Sequence, residues 1–219
     1  MTRRIGAAEM SLISAYVNDI AGIALDEQKA YLVESRLGPL LETEDCVDYA
    51  ELRRKALSDP TKRLENLVID AITTHETSFF RDEAPFHLLA HKLLPNIIER
   101  KKKVDPSGPL RIDIWCAAAS TGQEIYSISI TAKELLGDLN KYRISVLGTD
   151  ISPAVLAIAS AGRYNEIEVK RGLSARRLER FFHREDKLWR INDELRATAR
   201  FKKHNLLHDF NGLGHFDII

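Results

Sequence analysis

The sequence predicts an α/β protein in two parts: a small all-helical part, then a doubly wound, Rossmann-like sheet domain. Three observations predict it. The first hundred residues carry apolar side chains at helical spacing. From residue 110 the pattern becomes strand, loop, helix, strand, helix, the order of a parallel sheet with crossover helices. Between them "KKKVDPSGP", 101–109, is a polar turn that separates the two patterns.

Composition narrows the function classes. The chain has 219 residues, room for one large domain or two small ones with a substantial core. Apolar residues make up 44% and charged residues 29%, which fits a soluble globular chain rather than a fibrous or disordered one. Lys+Arg and Asp+Glu are both 32, so no global charge draws the chain to nucleic acid or an anionic membrane. Cys46 and Cys116 lie far apart, with no disulfide framework or metal cluster, as suits a reducing cytoplasm. The N-terminal "MTRRIGAAEM" has no apolar core of signal-peptide length. No apolar run approaches the roughly 20 residues of a membrane span, so no membrane insertion is expected.

The elements follow in order. "AEMSLISAYVNDIAGIAL" sets Leu12, Ile13, Tyr16, Val17 and Ile20 at helical spacing. "DEQKAYLVESRLGPLLE" has Asp26 as N-cap and Tyr31, Leu32, Leu37 and Leu40 near one face, and Gly38-Pro39 is expected to end or kink it. "VDYAELRRKAL" and "TKRLENLVIDAI" read as two short helices. "EAPFHLLAHKLLPNIIER" is another amphipathic helix, with Pro85 in its first turn. These readings divide the chain into a helical domain at 1–82, a connecting helix and linker at 83–107, and a sheet domain at 108–219.

In the sheet domain "LRIDIWCA" is a strand, "AASTGQE" a loop of small residues and "IYSISITAKELLG" a helix. "YRISVLGTD" and "SPAVLAIASAG" repeat the strand and helix. "SARRLERFF" is helical with Ser174 as N-cap, and "KLWRI" and "ATARFKKHN" are strands, with room for a small β-subdomain at about 183–200. "HFDII" begins a further strand. A doubly wound sheet usually has more strands than these, so the sheet is expected to be incomplete at the C-terminus, as in the front part of a longer domain.

Three pieces carry chemistry. The small-residue loop lets backbone approach a ligand at the carboxyl edge of the sheet. It has one glycine, Gly122, instead of G-x-G-x-x-G, and Glu124 at the helix start repels a pyrophosphate while suiting a zwitterionic or cationic ligand. Asp150 ends the second strand, where an acid accepts hydrogen bonds from ribose hydroxyls, although a role in capping the next helix is the plain structural alternative. Together these two point to an adenosine-containing cofactor, without separating a nicotinamide dinucleotide from S-adenosylmethionine. Asn205-Leu206, after the third strand, could flank an adenine ring, but from the residues alone a loop turn is the favoured reading. The third piece is "TTHETSFFRDE", dense in polar groups between two helices. His75-Glu76 opens like H-E-x-x-H, but Phe79 breaks the zinc motif. His87 and His91 stand at ligand spacing with no third ligand near, so they read as a helix face, and no metal site is expected.

"AITTHETSFFRD", "IWCAAASTGQEIYSISI", "LGTDISPAVLAIASAGRY" and "KKHNLLHDF" resemble, in order, the consecutive motifs of the CheR family. The resemblance spans almost the whole chain. It implies a small helical domain joined to an S-adenosylmethionine-dependent methyltransferase domain. The implied activity is protein-glutamate O-methylation of bacterial chemotaxis receptors, giving S-adenosylhomocysteine as product. It implies that "TTHETSFFRDE" lines the cofactor cleft between the domains, with His75, Thr77 and Arg81 among the contacts to the methionine end or the neighbouring substrate pocket. The charge of Arg81 suits it to orient the substrate carboxylate, and a salt bridge to Asp82 or Glu83 is the plain structural alternative. His75 stands where relatives often carry Asn. Glu124 matches the acid near the methionine ammonium, Asp150 the ribose-binding acid, and Asn205-Leu206 the adenine contacts.

The implied partner is the cytoplasmic methylation helix of a chemoreceptor, bound by a chain expected to be monomeric. Basic residues of the first helices, Lys29, Arg36, Arg53, Arg54 and Lys55, are the candidates to recognise it. Some relatives grip a receptor's C-terminal peptide through the β-subdomain. "HREDKLWRINDELRATARF" lacks the glycine-rich loop of those members, so tethering is not expected. The competing readings are a nicotinamide-dependent oxidoreductase and a non-catalytic relative that docks on receptors.

Overall fold

The computed structural model describes residues 3–107, 110–139 and 141–219. Gly108 and Pro109, at the end of the expected linker, lie outside the described residues. The chain divides at Thr74 into two compact units. One holds the residues up to Thr74 with Ile151–Pro153, and the other holds His75–Asp150 with Ala154–Ile219.

The first unit packs four helices around one apolar core: α1 (Ala7–Ala21), α2 (Ala30–Thr43), α3 (Tyr49–Ser58) and α4 (Arg63–Ile72). In α1, Met10, Ile13, Tyr16 and Val17 are buried, the spacing of one helix face. Glu9 accepts the Gly6 amide at its start, and Gly22 ends it at φ 68, a left-handed C-cap. Asp48 caps α3 through the Glu51 amide at 2.7 Å. Asp26 accepts the Lys29 amide, but the turn it caps is a 3₁₀ turn at Glu27–Lys29 that leads into α2. The expected helix end at Gly38-Pro39 is corrected here. Helix α2 runs through both residues to Thr43. Val33, Leu37 and Leu41 are all buried on its inner face, and Gly38 is buried with them. Core packing on both sides of Pro39 outweighs the one backbone hydrogen bond that proline forgoes.

The second unit opens with a long helix in three segments: α5 (Glu83–Leu88), a wide π turn (Leu89–Leu93) and α6 (Leu94–Val104). Pro95 explains the π turn. Its ring would clash with the carbonyl four residues back, at His91, in a regular helix, and widening the preceding turn relieves that clash.

The sheet follows: β1 (Leu110–Ala117), α7 (Gln123–Leu136), β2 (Tyr142–Asp150) and α8 (Pro153–Ala161), and later β6 (Ala199–Lys203). Strands β1 and β2 pair in parallel, with Ile112 opposite Ile144 and Ile114 opposite Val146. Strand β6 pairs in parallel on the far side of β2, with Asp150 opposite Lys203. Ile218 bridges Ile114 in parallel on the other side of β1. The described order is therefore β6-β2-β1-Ile218. The chain winds outward from β1 and then returns to its opposite edge, so the topological switch point lies at the carboxyl end of β1. Gly148 leaves room for α7, since an added Cβ there would fall 2.1 Å from Ile125 Cδ1 and that side chain would have to shift.

Between α8 and β6 lies a small antiparallel sheet of β3 (Arg163–Tyr164), β5 (Leu188–Ile191) and β4 (Phe182–Glu185), in the order β3-β5-β4. Helices α9 (Glu166–Lys170) and α10 (Ala175–Phe181) precede β4, and α11 (Asp193–Arg196) follows β5. Ser174 caps α10 as expected, accepting the Arg177 amide. The unit's core runs from Ile112, Ile114 and Val146 through Ile125, Tyr126 and Ile130 of α7 to Phe79, Tyr164 and Phe182.

Candidate active site

The loop between β1 and α7 is built from tight, left-handed backbone. Ala118, Ser120 and Gly122 have φ of 58, 49 and 93, a conformation that costs a non-glycine residue about 1–3 kcal/mol. Three hydrogen bonds hold it. Ala119 N–H donates to Thr149 O at 2.8 Å, Ser120 N–H to Asp150 Oδ2 at 2.9 Å, and Tyr164 Oη to Thr121 O at 2.9 Å. The Ser120 hydroxyl donates to His75 O at 3.0 Å. One serine thus joins the strand-end acid to the start of the 75–83 segment.

That segment is fixed by its apolar residues. Phe79 is fully buried and meets Tyr164 and Phe182 edge-on, with ring centroids 5.0 and 5.5 Å apart. Phe80 adopts φ 47 and donates its amide to Ser127 Oγ at 3.0 Å. Gly172 passes so close that an added Cβ would lie 1.7 Å from Phe79 O. Arg171 pairs with Glu76 at 2.6 Å and, with Arg81 as a further cation, holds the Glu76 carboxyl below its usual range. The Arg81 side chain donates to Glu76 O at 3.3 Å. Ser78 and the two phenylalanines are buried, whereas Thr77 is half-buried and Arg81 exposed.

Arg81 and Glu124 line one cavity of about 620 Å³, together with Ser78, Trp115, Cys116 and Ile218. Glu124 stands in the first turn of α7, where the helix N-terminus favours an anion. Its Oε1 accepts a hydrogen bond from Cys116 Sγ at 3.0 Å. Burial, and then the Glu124 charge, push the Cys116 thiol far above its usual range. Cys116 is a site residue that the sequence reading passed over. Its place two residues after Ile114 marks it in the sequence as buried on the inner face of β1, and nothing in the sequence marks its contact with Glu124.

The other expected residues fall nearby or elsewhere. Asp150 is 8% exposed and does not line that cavity, but it belongs to the same loop through Ser120. Asn205 follows β6 beside it, because His204 N–H donates to Asp150 O at 2.9 Å. Asn205 Oδ1 accepts the Leu207 amide at 3.0 Å, which makes a turn, and Leu206 is exposed. In the first unit, Arg36 Nη1 donates to Ile72 O and Thr73 O at 2.9 Å each, so its guanidinium closes the end of α4. Lys55 likewise binds Glu44 O and Asp45 O beyond α2. Lys29 is half-buried and binds Ala24 O, Arg54 pairs with Glu51 at an exposed position, and Arg53 is half-buried.

The donor set can be tested against ligand chemistry. Two carboxylates stand at the carboxyl edge of the sheet, Glu124 in the cavity wall and Asp150 behind the loop, and the loop carries a single glycine. Such walls oppose a pyrophosphate and accept an ammonium, a sulfonium and sugar hydroxyls. Among the described residues no helix is long and apolar enough to cross a membrane.

Comparison with known proteins agrees with that chemistry. Residues 75–219 match the CheR methyltransferase, SAM binding domain, and residues 8–73 match the CheR methyltransferase, all-alpha domain. The chain is 36% identical over 217 residues to the chemotaxis protein methyltransferase 1 of Pseudomonas aeruginosa, covering 97% of this chain and 76% of that one. It is 36% identical over 219 residues to the chemotaxis protein methyltransferase Cher2 of Pseudomonas putida, covering 98% and 77%. It is 36% identical over 211 residues to a chemotaxis protein methyltransferase of Vibrio parahaemolyticus, covering 94% and 73%.

Proposed function

This chain belongs to the CheR methyltransferase family, whose methyl donor is S-adenosylmethionine, and from that premise we propose that it methyl-esterifies glutamate side chains of chemotaxis receptors. The relatives' names supply the chemotaxis setting. The observation that carries the reading is that a cation, Arg81, and an acid, Glu124, line a single cavity at the switch point of the sheet.

When bound, the cofactor supplies a methyl group on a positively charged sulfur. Glu124 and Asp150 would hold that cofactor and Arg81 the substrate carboxylate, whose oxygen would take the methyl group while the sulfur kept the electron pair of the bond given up. Carboxylate and sulfonium are already nucleophile and electrophile, so no side chain has to remove a proton. The residues of this chain act by placement, for which effective molarities of about 10⁵–10⁸ M set the ceiling.

Arg81 orients the incoming carboxylate by charge-assisted hydrogen bonds. Glu124 receives the ammonium of the methionine end, and Asp150 receives ribose hydroxyls. Asn205 and Leu206 flank the adenine, while His75 and Thr77 shape the wall. Lys29, Arg53 and Arg54 form the basic face offered to an acidic receptor helix, with the chain acting as a cytoplasmic monomer. Arg36 is left out of that face because its guanidinium is committed to the α4 carbonyls.

The test is transfer of labelled methyl groups to receptor-containing membranes, read as base-labile methanol, alongside calorimetry with S-adenosylhomocysteine. Binding together with base-labile label supports the reading. Binding without label rejects the glutamate substrate, and silence in both rejects the reading as a whole.

A further inference from the structure

Cys116 closes the buried run of β1. Ile112, Ile114 and Cys116 alternate along the strand and all belong to the core. At 4% exposure the Cys116 side chain is out of reach of solvent. Its Sγ nevertheless ends at a carboxylate, 3.0 Å from Glu124 Oε1, in the wall of the 620 Å³ cavity. A buried thiol in an apolar core has no need of such a partner, since it behaves as a small hydrophobe. Glu124 gains more from the contact. It stands at an exposed position in the first turn of α7, and an unpaired glutamate there loses up to about 2 kcal/mol of rotamer freedom when a ligand fixes it.

The geometry points to Cys116 as a positioning residue for cofactor binding: its S–H holds Glu124 in the rotamer that receives the cationic methionine end. This rests on the role proposed above for Glu124. The thiol is a donor and the carboxylate only an acceptor, so the contact has one polarity. Burial keeps the proton on sulfur across the working pH range. Because S–H is a weak donor, the contact orients Glu124 rather than adding much energy of its own.

The test compares Cys116→Ala and Cys116→Ser by calorimetry with S-adenosylmethionine, with thermal unfolding as a check on folding. Alanine removes the donor and is expected to weaken binding about three- to tenfold, because Glu124 regains rotamer freedom that the ligand must then restrict. Serine keeps an O–H donor and is expected to bind within about twofold of the unaltered chain. In turnover, Cys116→Ala raises KM for the cofactor and leaves kcat at saturation. In a Glu124→Gln background Cys116→Ala costs no further affinity, because the acceptor charge it served is gone. Unaltered affinity in Cys116→Ala, or serine as weak as alanine, overturns the inference while Glu124 keeps its role. Unaltered affinity in Glu124→Gln overturns that role and the inference with it. An unaltered chain that binds no S-adenosylmethionine overturns the site reading itself.

Discussion

The backbone amide of Ser120 donates to Asp150 Oδ2 at 2.9 Å, so the strained β1–α7 turn and the acid at the tip of β2 form one piece. The same serine reaches His75 O through its hydroxyl. Asp150→Asn keeps an oxygen that can accept the Ser120 amide but loses the charge. Hydrogen bonds to a charged group contribute about 1.5–3 kcal/mol, so S-adenosylhomocysteine should bind roughly ten- to hundredfold more weakly. Calorimetry reads this directly, and a thermal midpoint near that of the unaltered chain would confirm that the turn survives.

Gly172→Ala is expected to damage the second unit. At φ 100 any side chain is strained by about 1–3 kcal/mol, and the new Cβ would sit 1.7 Å from Phe79 O. The backbone must move to relieve that clash, and the Phe79 segment moves with it. Denaturant titration should show a lower midpoint, and methyl transfer should fall together with stability. The opposite pattern, full stability with lost transfer, would show that the glycine serves the ligand rather than the packing.

Arg36 was a candidate for receptor contact, and the structure turns it inward. Arg36→Ala removes the donor shared by Ile72 O and Thr73 O and should destabilise the helical unit by about 1–3 kcal/mol. Its affinity for S-adenosylhomocysteine should not change. Urea unfolding and calorimetry on the same sample separate the two effects.

Much of this was legible in the sequence, and the misses have physical causes. The apolar runs of "LRIDIWCA" and "YRISVLGTD" marked both central strands, whose burial alternates at the start and becomes continuous toward the carboxyl end, as in a sheet covered on both faces. Pro39 misled because its local cost is visible in the sequence and the burial of Leu41 beyond it is not. Strand β3, two residues long, leaves no pattern and exists only through its pairing with β5. Glu124 was legible from its place after the small-residue loop. Its partner Cys116 was not, because a contact across eight residues of turn depends on the loop's left-handed backbone. Arg36 looked like every other surface cation until the end of α4 came within reach.

Glu166 offers a pH test. Trp189 Nε1, Arg184 and Lys170 hold its carboxyl at about 2, below the usual 4.5. The pKa is depressed in the folded state, so the contribution is fully present above about 4.5 and is lost as pH falls toward about 2. The group faces solvent, which keeps the effect small. Glu166→Gln should lower the melting temperature at pH 7, and the gap to the unaltered chain should close as pH approaches 2. A gap that stays constant with pH would assign the effect to packing of the amide instead.

Arg81 is the most discriminating position, because its two possible duties predict different kinetics. It lines the cavity with Glu124, yet its hydrogen bond to Glu76 O is long, at 3.3 Å, which leaves the guanidinium weakly committed. If it orients the substrate carboxylate, Arg81→Ala should cut turnover on receptor by about tenfold to a hundredfold, the worth of a charge-assisted bond, while S-adenosylhomocysteine binds as before. Arg81→Lys keeps the charge but not the planar fork, so it should recover only part of the rate. If the residue instead holds the methionine carboxylate, cofactor affinity falls in step with turnover and lysine restores most of it. Measuring calorimetric affinity and kcat on both variants decides between them, and normal turnover in Arg81→Ala would remove the residue from the reaction altogether.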